Sequence, residues 1–258
     1  MKLGFIGFGN MGQAIAKGLI SAGALEAQSI SACAAHYDKL SKNAEALGIK
    51  ACRNPKELLE SCDTVVIAVK PYMLVEVLTP IVEGLRSKTV ISIAAGWDFE
   101  KYEALLLPGT HHISTLPNIP VSVGKGIFIC ESRHSLTEEE FDSFNTVFSK
   151  AALIETLPAA QYSAAGTLAG CGPAFTALYI EALADAAVKY GLTRPAAYRL
   201  AEQMCIGSAE LLLQETMHPA VLKDKVCSPH GTTIRGISAL ERNAFRSAVI
   251  EAFDAIEG

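Results

Sequence analysis

A glycine-rich turn between a predicted strand and a predicted helix lies at the start of the chain and constrains its fold most. Residues 3–6 form a short apolar run, and residues 11–20 carry apolar side chains at helical intervals. Gly7, Gly9 and Gly12 stand at this junction with GxGxxG spacing. The order of strand, turn and helix predicts a dinucleotide-binding site, because glycines let the backbone approach a pyrophosphate at the helix start. A tight corner that holds no ligand is the alternative.

Strands and helices alternate through the first half of the chain. Residues 63–69 form a continuous β-branched run that is typical of a buried parallel strand. Further strands are predicted at residues 28–33, 50–52, 89–93, 111–115 and 126–130. Helices are predicted at residues 38–47, 55–61 and 137–150, and from residue 71 onward. This alternation predicts an α/β domain with a Rossmann-like doubly wound sheet over residues 1–157.

The second half of the chain has a different pattern, in which alanine-rich helical segments replace the strands. They cover residues 162–190, 194–216, 219–226, 231–239 and 243–256. We therefore expect an all-α domain over residues 158–258. Its helices carry few charges, and 50% of the whole chain is hydrophobic, so two copies packed together would cover apolar surface that one copy exposes. This predicts a homodimer formed through the helical domain.

Composition argues against several classes of partner. The net charge is −5 and the cationic residues are scattered, so no nucleic-acid-binding face is predicted. The apolar stretch at the N-terminus is interrupted by glycines, unlike a signal peptide, and the apolar run 173–184 contains Glu181, unlike a membrane span. The 7 cysteines form no CxxC pair, which favours buried thiols in a reducing cytoplasm over disulfides or a metal site.

The segment after the second predicted strand bears on the choice of cofactor. NAD-binding folds place an acidic residue there to accept hydrogen bonds from the ribose 2′-hydroxyl. Residues 30–36 contain no acid, and Asp38 comes later, on the predicted helix. The absence favours NADPH, whose 2′-phosphate His36 or Lys39 could approach, although this segment holds no arginine. NADH is the alternative.

The remaining cofactor contacts are expected just beyond the carboxyl ends of the strands, where ligands bind to sheets of this kind. Two such ends are residues 68–71 and 94–96, and the proline-bracketed loop 116–120 is expected near the same edge. A solvated lysine and a plain turn are the alternatives for Lys70 and Gly96. The predicted cofactor-binding residues are Ile6, Gly7, Phe8, Gly9, Asn10, Met11, Gly12, His36, Ala68, Val69, Lys70, Pro71, Ala95 and Gly96.

A second candidate site lies near residues 224–234 in the helical half. Ser228 followed by Pro229 predicts a helix that starts there or within a few residues. The free N–H groups of a helix start, beside Gly231 and the hydroxyls of Thr232 and Thr233, would suit a small anion such as a carboxylate. A capped helix without a ligand is the alternative.

Five segments together resemble the pyrroline-5-carboxylate reductase family and span nearly the whole chain. They are GFIGFGNMG at the start and residues 68–71, 116–124, 170–175 and 227–233, in the order found in that family. The resemblance implies reduction of the cyclic imine L-1-pyrroline-5-carboxylate to L-proline by NAD(P)H, the last step of proline biosynthesis. It also implies an interlocked dimer, often assembled further into rings.

The resemblance also implies the roles of individual residues. Backbone at Gly231 and Thr232 would bind the substrate carboxylate, and the Thr233 hydroxyl would meet the ring nitrogen as the catalytic group. Ser228 and Lys225 complete the predicted substrate site, and no metal is expected.

Three positions depart from the family pattern. His230 stands where the family usually has glycine, Cys171 where it has serine, and Ser114 where it has arginine.

Two other functions are alternatives. A β-hydroxyacid dehydrogenase would carry a catalytic lysine on the long helix after Pro173, but the first lysine there is Lys189. A nucleotide-sensing protein without enzymatic activity would leave residues 228–233 unexplained.

Overall fold

The computed structural model describes all 258 residues, which divide into two compact units, residues 1–170 and 171–258. The division falls inside one long helix that begins at Ala159. The predicted domain boundary at residue 158 stays a prediction, and the two units are described separately below.

The first unit is built on an eight-stranded sheet with the strand order β3-β2-β1-β4-β5-β6-β7-β8. Strands β1 to β6 are parallel, β7 is antiparallel to β6, and β8 is parallel to β7. This order confirms the predicted Rossmann-like doubly wound sheet, with its switch point between β1 and β4. The strands are β1 (Leu3–Ile6), β2 (Ile30–Cys33), β3 (Lys50–Ala51), β4 (Thr64–Ile67), β5 (Thr89–Ser92), β6 (His111–Pro117), β7 (Gly126–Glu131) and β8 (Ala152–Leu157).

Apolar side chains cover both faces of this sheet. Along β4, Val66 packs into one buried cluster with Phe5 and Phe128, while its neighbours Val65 and Ile67 pack into another. This alternation follows from the pleat of a strand, which points successive side chains to opposite faces. The continuous apolar run in the sequence therefore indicates a strand with a layer of structure on each side.

Seven helices accompany the sheet, and some differ from the predictions. The helix expected from Pro71 is instead a 3₁₀ turn followed by two short helices. A second 3₁₀ turn, Thr79–Ile81, separates the two helices because Pro80 cannot continue an α-helix. Helix α6 and strand β8 were not predicted, and residues 116–117, expected in a loop, belong to β6. The helices are α1 (Asn10–Ser21), α2 (Tyr37–Leu47), α3 (Pro55–Ser61), α4 (Leu74–Leu78), α5 (Val82–Leu85), α6 (Phe99–Leu105) and α7 (Glu138–Phe148).

The rest of the chain is entirely helical, as predicted. Its helices are α8 (Ala159–Lys189), which also supplies the end of the first unit, α9 (Arg194–Glu215), α10 (Pro219–Val226), α11 (Thr232–Arg242) and α12 (Phe245–Glu257). The helix expected to start at Ser228–Pro229 or within a few residues begins at Thr232, with Gly231 as its N-cap. The reason is the backbone of His230, whose φ of 59° places it in the left-handed region and so outside a right-handed helix.

The helical half leaves much apolar surface open. Leu178, Leu200 and Leu213 are 67%, 62% and 80% exposed, although leucine favours burial. One helix, α8, is long and apolar enough to cross a membrane by length and composition, and 17% of its most apolar window is buried in this chain. An apolar surface of this extent typically contacts another molecule.

Candidate cofactor and substrate sites

The glycine turn after β1 contains glycines that are needed for different reasons. Gly7 has a φ of 91°, and its N–H donates to the Cys33 carbonyl at 2.9 Å. A Cβ added to Gly7 would lie 2.7 Å from the Ala68 backbone, so the fold itself requires glycine there. Gly9 is different, because a Cβ there would meet no atom within 4 Å. The space beside Gly9 is open, as the approach of a pyrophosphate would require.

Helix α1 begins beside this open space and presents unpaired N–H groups. Its N-cap, Gly9, has no side chain to accept from them, and the first turn contains no acidic residue. The N–H groups of Asn10, Met11 and Gly12 donate to no acceptor in the chain. Such a helix start favours an anion, because its N–H groups and the helix dipole both point toward the ligand. The turn therefore fits a dinucleotide phosphate.

A cleft of about 490 Å³ adjoins the turn at the carboxyl edge of the sheet. Of the residues predicted to bind the cofactor, Ile6, Gly7 and Val69 line it. His36 does not, since it lies exposed at the N-cap of α2, and Ala34 and Ala35 form the wall at the end of β2 instead. The cleft has the volume of a typical small-molecule site.

The other predicted cofactor residues follow strand ends at the same edge. Lys70 is exposed and precedes the 3₁₀ turn Pro71–Met73. Ala95 and Gly96 are exposed after β5, and the Gly96 carbonyl accepts a hydrogen bond from Lys101 Nζ. Because β1, β4 and β5 are parallel, their carboxyl ends meet at one edge.

Sequence reasoning missed several residues that line the cleft. Arg53, Asn54, Pro55 and Lys56 follow β3, and Met73 and Val77 lie on the segment after β4. Cofactor contacts were predicted just beyond the carboxyl ends of β2, β4 and β5. The same reasoning applied to β3 would have pointed to the residues that follow it. That strand was itself predicted, at residues 50–52, so the signal was present although β3 is only 2 residues long.

The loop after β6 packs on helix α1, and its predicted place near the cofactor edge stays a prediction. Its 3₁₀ turn Ile119–Val123 packs on the later part of α1, where a Cβ on Gly18 would clash with the Val121 carbonyl. Gly18 lies about 12 Å along the helix axis from Asn10, given a rise of about 1.5 Å per residue. Buried Asn118 fixes the loop, donating to the Ala169 carbonyl at 3.0 Å and accepting from the Ile127 N–H at 2.8 Å. This loop has a structural role away from the glycine turn.

The second candidate site is a tight turn between α10 and α11. The Gly231 N–H donates to the Ser228 carbonyl at 3.0 Å, and a Cβ on Gly231 would clash with Ser228 Oγ. Thr232 and Thr233 follow in the first turn of α11. The fold thus brings together four of the five residues predicted to bind substrate.

The start of α11 has the features of an anion site as well. Gly231 provides no side-chain cap, and the first turn of the helix contains no acidic residue. Thr233 is half-buried, and its hydroxyl makes no hydrogen bond within the chain. Backbone donors and a free hydroxyl therefore lie within one turn, where they could bind a carboxylate and a second polar group.

Lys225 differs from the other predicted substrate residues. Its exposed Nζ lies 3.7 Å from Glu215 Oε2, at the end of α9. The ammonium is thus directed to a carboxylate of the helical half, and its role as a substrate ligand stays a prediction.

Comparisons with known proteins agree with these features. The family model described as pyrroline-5-carboxylate reductase dimerisation matches residues 159–257, and one described as NADP oxidoreductase, coenzyme F420-dependent, matches residues 2–96. The pyrroline-5-carboxylate reductase of Treponema pallidum (strain Nichols) is 46% identical over 98% of this chain and 97% of its own. The pyrroline-5-carboxylate reductase of Escherichia coli (strain K12) is 36% identical over 97% of this chain and 94% of its own.

A solved structure extends the similarity to three dimensions. The Plasmodium falciparum pyrroline carboxylate reductase with NADP bound has a TM-score of 0.87 and 31% identity, over 99% of this chain and 95% of its own. Similarity of this extent covers both the sheet and the helices. The chain belongs to the pyrroline-5-carboxylate reductase family.

Proposed function

We propose that this chain reduces L-1-pyrroline-5-carboxylate to L-proline with NAD(P)H, the last step of proline biosynthesis. The observation that carries the proposal is the turn between Ser228 and Thr233, where an uncapped helix start and a free hydroxyl lie together. A cyclic imine that bears a carboxylate has the two matching groups. The glycine turn and its cleft supply the place for the dinucleotide.

The reaction requires three things of the protein: the carboxylate must be held, the ring must face the cofactor, and the nitrogen needs a polar partner. The bound dihydronicotinamide supplies the hydride. The Gly231 N–H already donates to the Ser228 carbonyl, so the carboxylate is held by the free backbone N–H of Thr232 and not by that of Gly231. Thr233 Oγ1 hydrogen-bonds the ring nitrogen. A hydroxyl both donates and accepts, so Thr233 serves the imine and the product amine alike. Such positioning can contribute about 7–11 kcal/mol to lowering a barrier.

The preferred cofactor is NADPH, with NADH as the poorer alternative. Ala34 and Ala35 occupy the end of β2, where NAD-binding folds place an acidic residue that holds the ribose 2′-hydroxyl. NADP in the related Plasmodium structure supports the same preference. Steady-state kinetics with both cofactors test it, and a clearly higher kcat/KM for NADH would reverse the assignment.

The working enzyme is a homodimer, with larger rings of dimers as a further possibility for its assembly. The dimerisation family model over residues 159–257 and the open apolar face of α8 support the dimer. The second copy would cover this face, so we assign the apolar window of α8 to protein contact and not to a membrane. The proposed location is the cytoplasm, with no nucleic-acid partner.

An assay of NADPH oxidation with pyrroline-5-carboxylate tests the proposed reaction. We expect the absorbance at the dihydronicotinamide band to fall only when the imine is present, with proline as the product. A 3-hydroxy acid with the oxidised cofactor is the control, since a β-hydroxyacid dehydrogenase would turn it over. NADPH binding without turnover of the imine would favour a nucleotide-sensing protein and contradict the proposal.

A further inference from the structure

The two walls of the cleft beside the glycine turn differ in polarity. One is apolar and includes Val69, Met73 and Val77 from the segments after β4. The other contains the only two charged side chains that line the cleft, Arg53 and Lys56, and both are cationic. A cleft with one apolar and one cationic wall fits a flat base joined to a phosphorylated sugar.

The pairing of β3 with β2 determines where Arg53 lies. Ala32 pairs with Ala51, and the Cys52 N–H donates to the Ala32 carbonyl at 2.8 Å. Arg53 therefore follows alongside the end of β2, next to Ala34 and Ala35. In dinucleotide-binding folds this is the place of the adenosine ribose and its 2′-oxygen.

Contacts to neighbouring elements hold Arg53 there. Its backbone N–H donates to Glu57 Oε2 at 2.8 Å, and its guanidinium carbon lies 4.8 Å from the centroid of the Tyr37 ring at the start of α2. A cation over an aromatic face is attracted by the ring electrons, which limits the freedom of the long side chain.

The guanidinium is also unpaired, so it is free to bind an anion. No carboxylate lies within ion-pair distance of it, and Glu57 instead accepts the Arg53 backbone N–H and lies 3.8 Å from Lys50 Nζ. The small side chains of Ala34 and Ala35 leave room at the end of β2, and neither repels a phosphate. A guanidinium donates two parallel hydrogen bonds to a phosphate, a geometry that lysine lacks.

We propose that Arg53 binds the ribose 2′-phosphate of NADPH and is the residue that sets the preference for the phosphorylated cofactor. The proposal rests on the proposed function, and it supplies the arginine that is absent from residues 30–36. Tyr37 is a positioning residue for the guanidinium, and Lys56 adds positive charge at the same wall.

The test uses two fragments of the cofactor that differ only in the 2′-phosphate, namely 2′,5′-ADP and 5′-AMP. Calorimetric titration of the full-length protein gives the affinity for each. We expect the wild-type protein to favour 2′,5′-ADP, and Arg53→Met to weaken this ligand roughly 10- to 100-fold, the range for losing hydrogen bonds to a charged group. Binding of 5′-AMP should be unchanged.

Two further variants make the outcome specific. Arg86→Met removes the same charge from an exposed residue that precedes β5, at the amino edge of the sheet, and should leave both affinities unchanged. Arg53→Lys keeps the charge without the planar group, and should fall between wild type and Arg53→Met. The difference between the ligands should shrink as salt is added, because screening weakens the phosphate contact.

The results that overturn the proposal are equal weakening of both fragments by Arg53→Met, or no weakening of 2′,5′-ADP. A wild-type protein that does not favour 2′,5′-ADP would also overturn it. Circular dichroism of each variant establishes that it is folded. Because the titration needs no imine, a protein that selects 2′,5′-ADP but does not reduce pyrroline-5-carboxylate would contradict the proposed function alone.

Discussion

Gly9 and Gly231 are both glycines that begin helices, yet different neighbours account for them. Gly231 is closely packed by the chain itself, because a Cβ there would lie 3.0 Å from the Ser228 carbonyl oxygen and would require Ser228 Oγ to rotate away. Gly9 has a φ of −79° and open space where a Cβ would lie, so neither strain nor packing requires it. We therefore propose that a bound dinucleotide, and not the fold, requires glycine at position 9.

The Gly9→Val variant tests this reasoning. We expect it to fold with a melting temperature close to that of wild type, because the backbone conformation is allowed and the side chain meets no protein atom. NADPH affinity should fall roughly tenfold or more, equivalent to about 1.4 kcal/mol, because the valine occupies the approach of the pyrophosphate. Cofactor fluorescence titration measures it, and Gly7→Val, which should unfold the turn, is the contrast. Unchanged affinity in folded Gly9→Val would contradict the site.

Thr233 is the residue for which the proposed chemistry makes the sharpest prediction. Thr233→Val preserves the shape and removes the hydroxyl that would hydrogen-bond the ring nitrogen. The kcat/KM for pyrroline-5-carboxylate should fall by an equivalent of about 1–3 kcal/mol, the usual cost of an unpaired polar partner. Binding of NADPH should hardly change.

Thr232→Val is the matched control, since Thr232 lies in the same turn and is proposed to act through its backbone alone. It should keep near wild-type turnover. Turnover of Thr233→Val at the wild-type rate would remove Thr233 from the mechanism.

Helix α7 shows how an element can depend on one carboxylate. Glu140 accepts hydrogen bonds from the Thr137 N–H at 2.8 Å and Thr89 Oγ1 at 2.8 Å, and it contacts His111 Nδ1 at 2.7 Å. Burial alone would raise the pKa of Glu140, but these contacts outweigh it and lower the pKa from its usual 4.5. The folded state thus binds this proton less readily than the unfolded chain.

Acid should therefore remove the stability that Glu140 provides. The contribution is complete above the unfolded pKa of 4.5 and is lost as the pH falls through the lower pKa of the folded state. Glu140→Gln should lower the free energy of unfolding at neutral pH by about 1–3 kcal/mol, as for hydrogen bonds to a charged group. It should also flatten the acid dependence. Urea unfolding at several pH values measures the free energy of unfolding and its dependence on acid. Glu139→Gln, at an exposed neighbouring residue, should change neither quantity.

Local patterns predicted some elements well and could not reveal others. The run at β4 is apolar throughout because both faces are buried, so its signal is strong. Strand β8 is an edge strand with Leu153 58% exposed, so its residues lack the pattern of a buried strand. The start of α11 at Thr232 lies within one residue of the helical segment predicted at residues 231–239, although the left-handed backbone of His230 just before it is a conformation that favours glycine.

The candidate sites divide in the same way. The glycine turn and the Ser228–Thr233 segment are continuous in sequence, so their motifs were visible. Arg53 follows the predicted strand β3, so its position at a strand end could have been found, but its place beside the end of β2 depends on the register of β3 on β2, which no local pattern encodes. His36 was chosen because it follows the second predicted strand and could approach a 2′-phosphate, but the path of the backbone after β2 leaves it outside the cleft.

The predicted homodimer concerns the surface of the whole molecule. Leucines that are open on one chain, such as Leu178 at 67% and Leu213 at 80%, leave a large apolar area in water unless a second copy covers it. The match to the dimerisation family model over residues 159–257 places the contact in the helices. Light scattering at low micromolar concentration should give about twice the 27.4 kDa of one chain. The melting temperature should rise with protein concentration, as for a dimer that unfolds to monomers.

A charge placed on one of these leucines would locate the contact. Leu178→Glu would change the stability little on an exposed surface. Inside an interface it would be strongly destabilising, because a buried charge there lacks a partner. We therefore expect it to shift the protein toward monomer or aggregate, and to lower the melting temperature. Val75→Glu changes a residue of the sheet unit that is 55% exposed, and should leave the mass unchanged. A stable wild-type monomer, or a Leu178→Glu protein that dimerises as wild type does, would place the interface elsewhere or remove it. In either case the apolar face of α8 would need another partner.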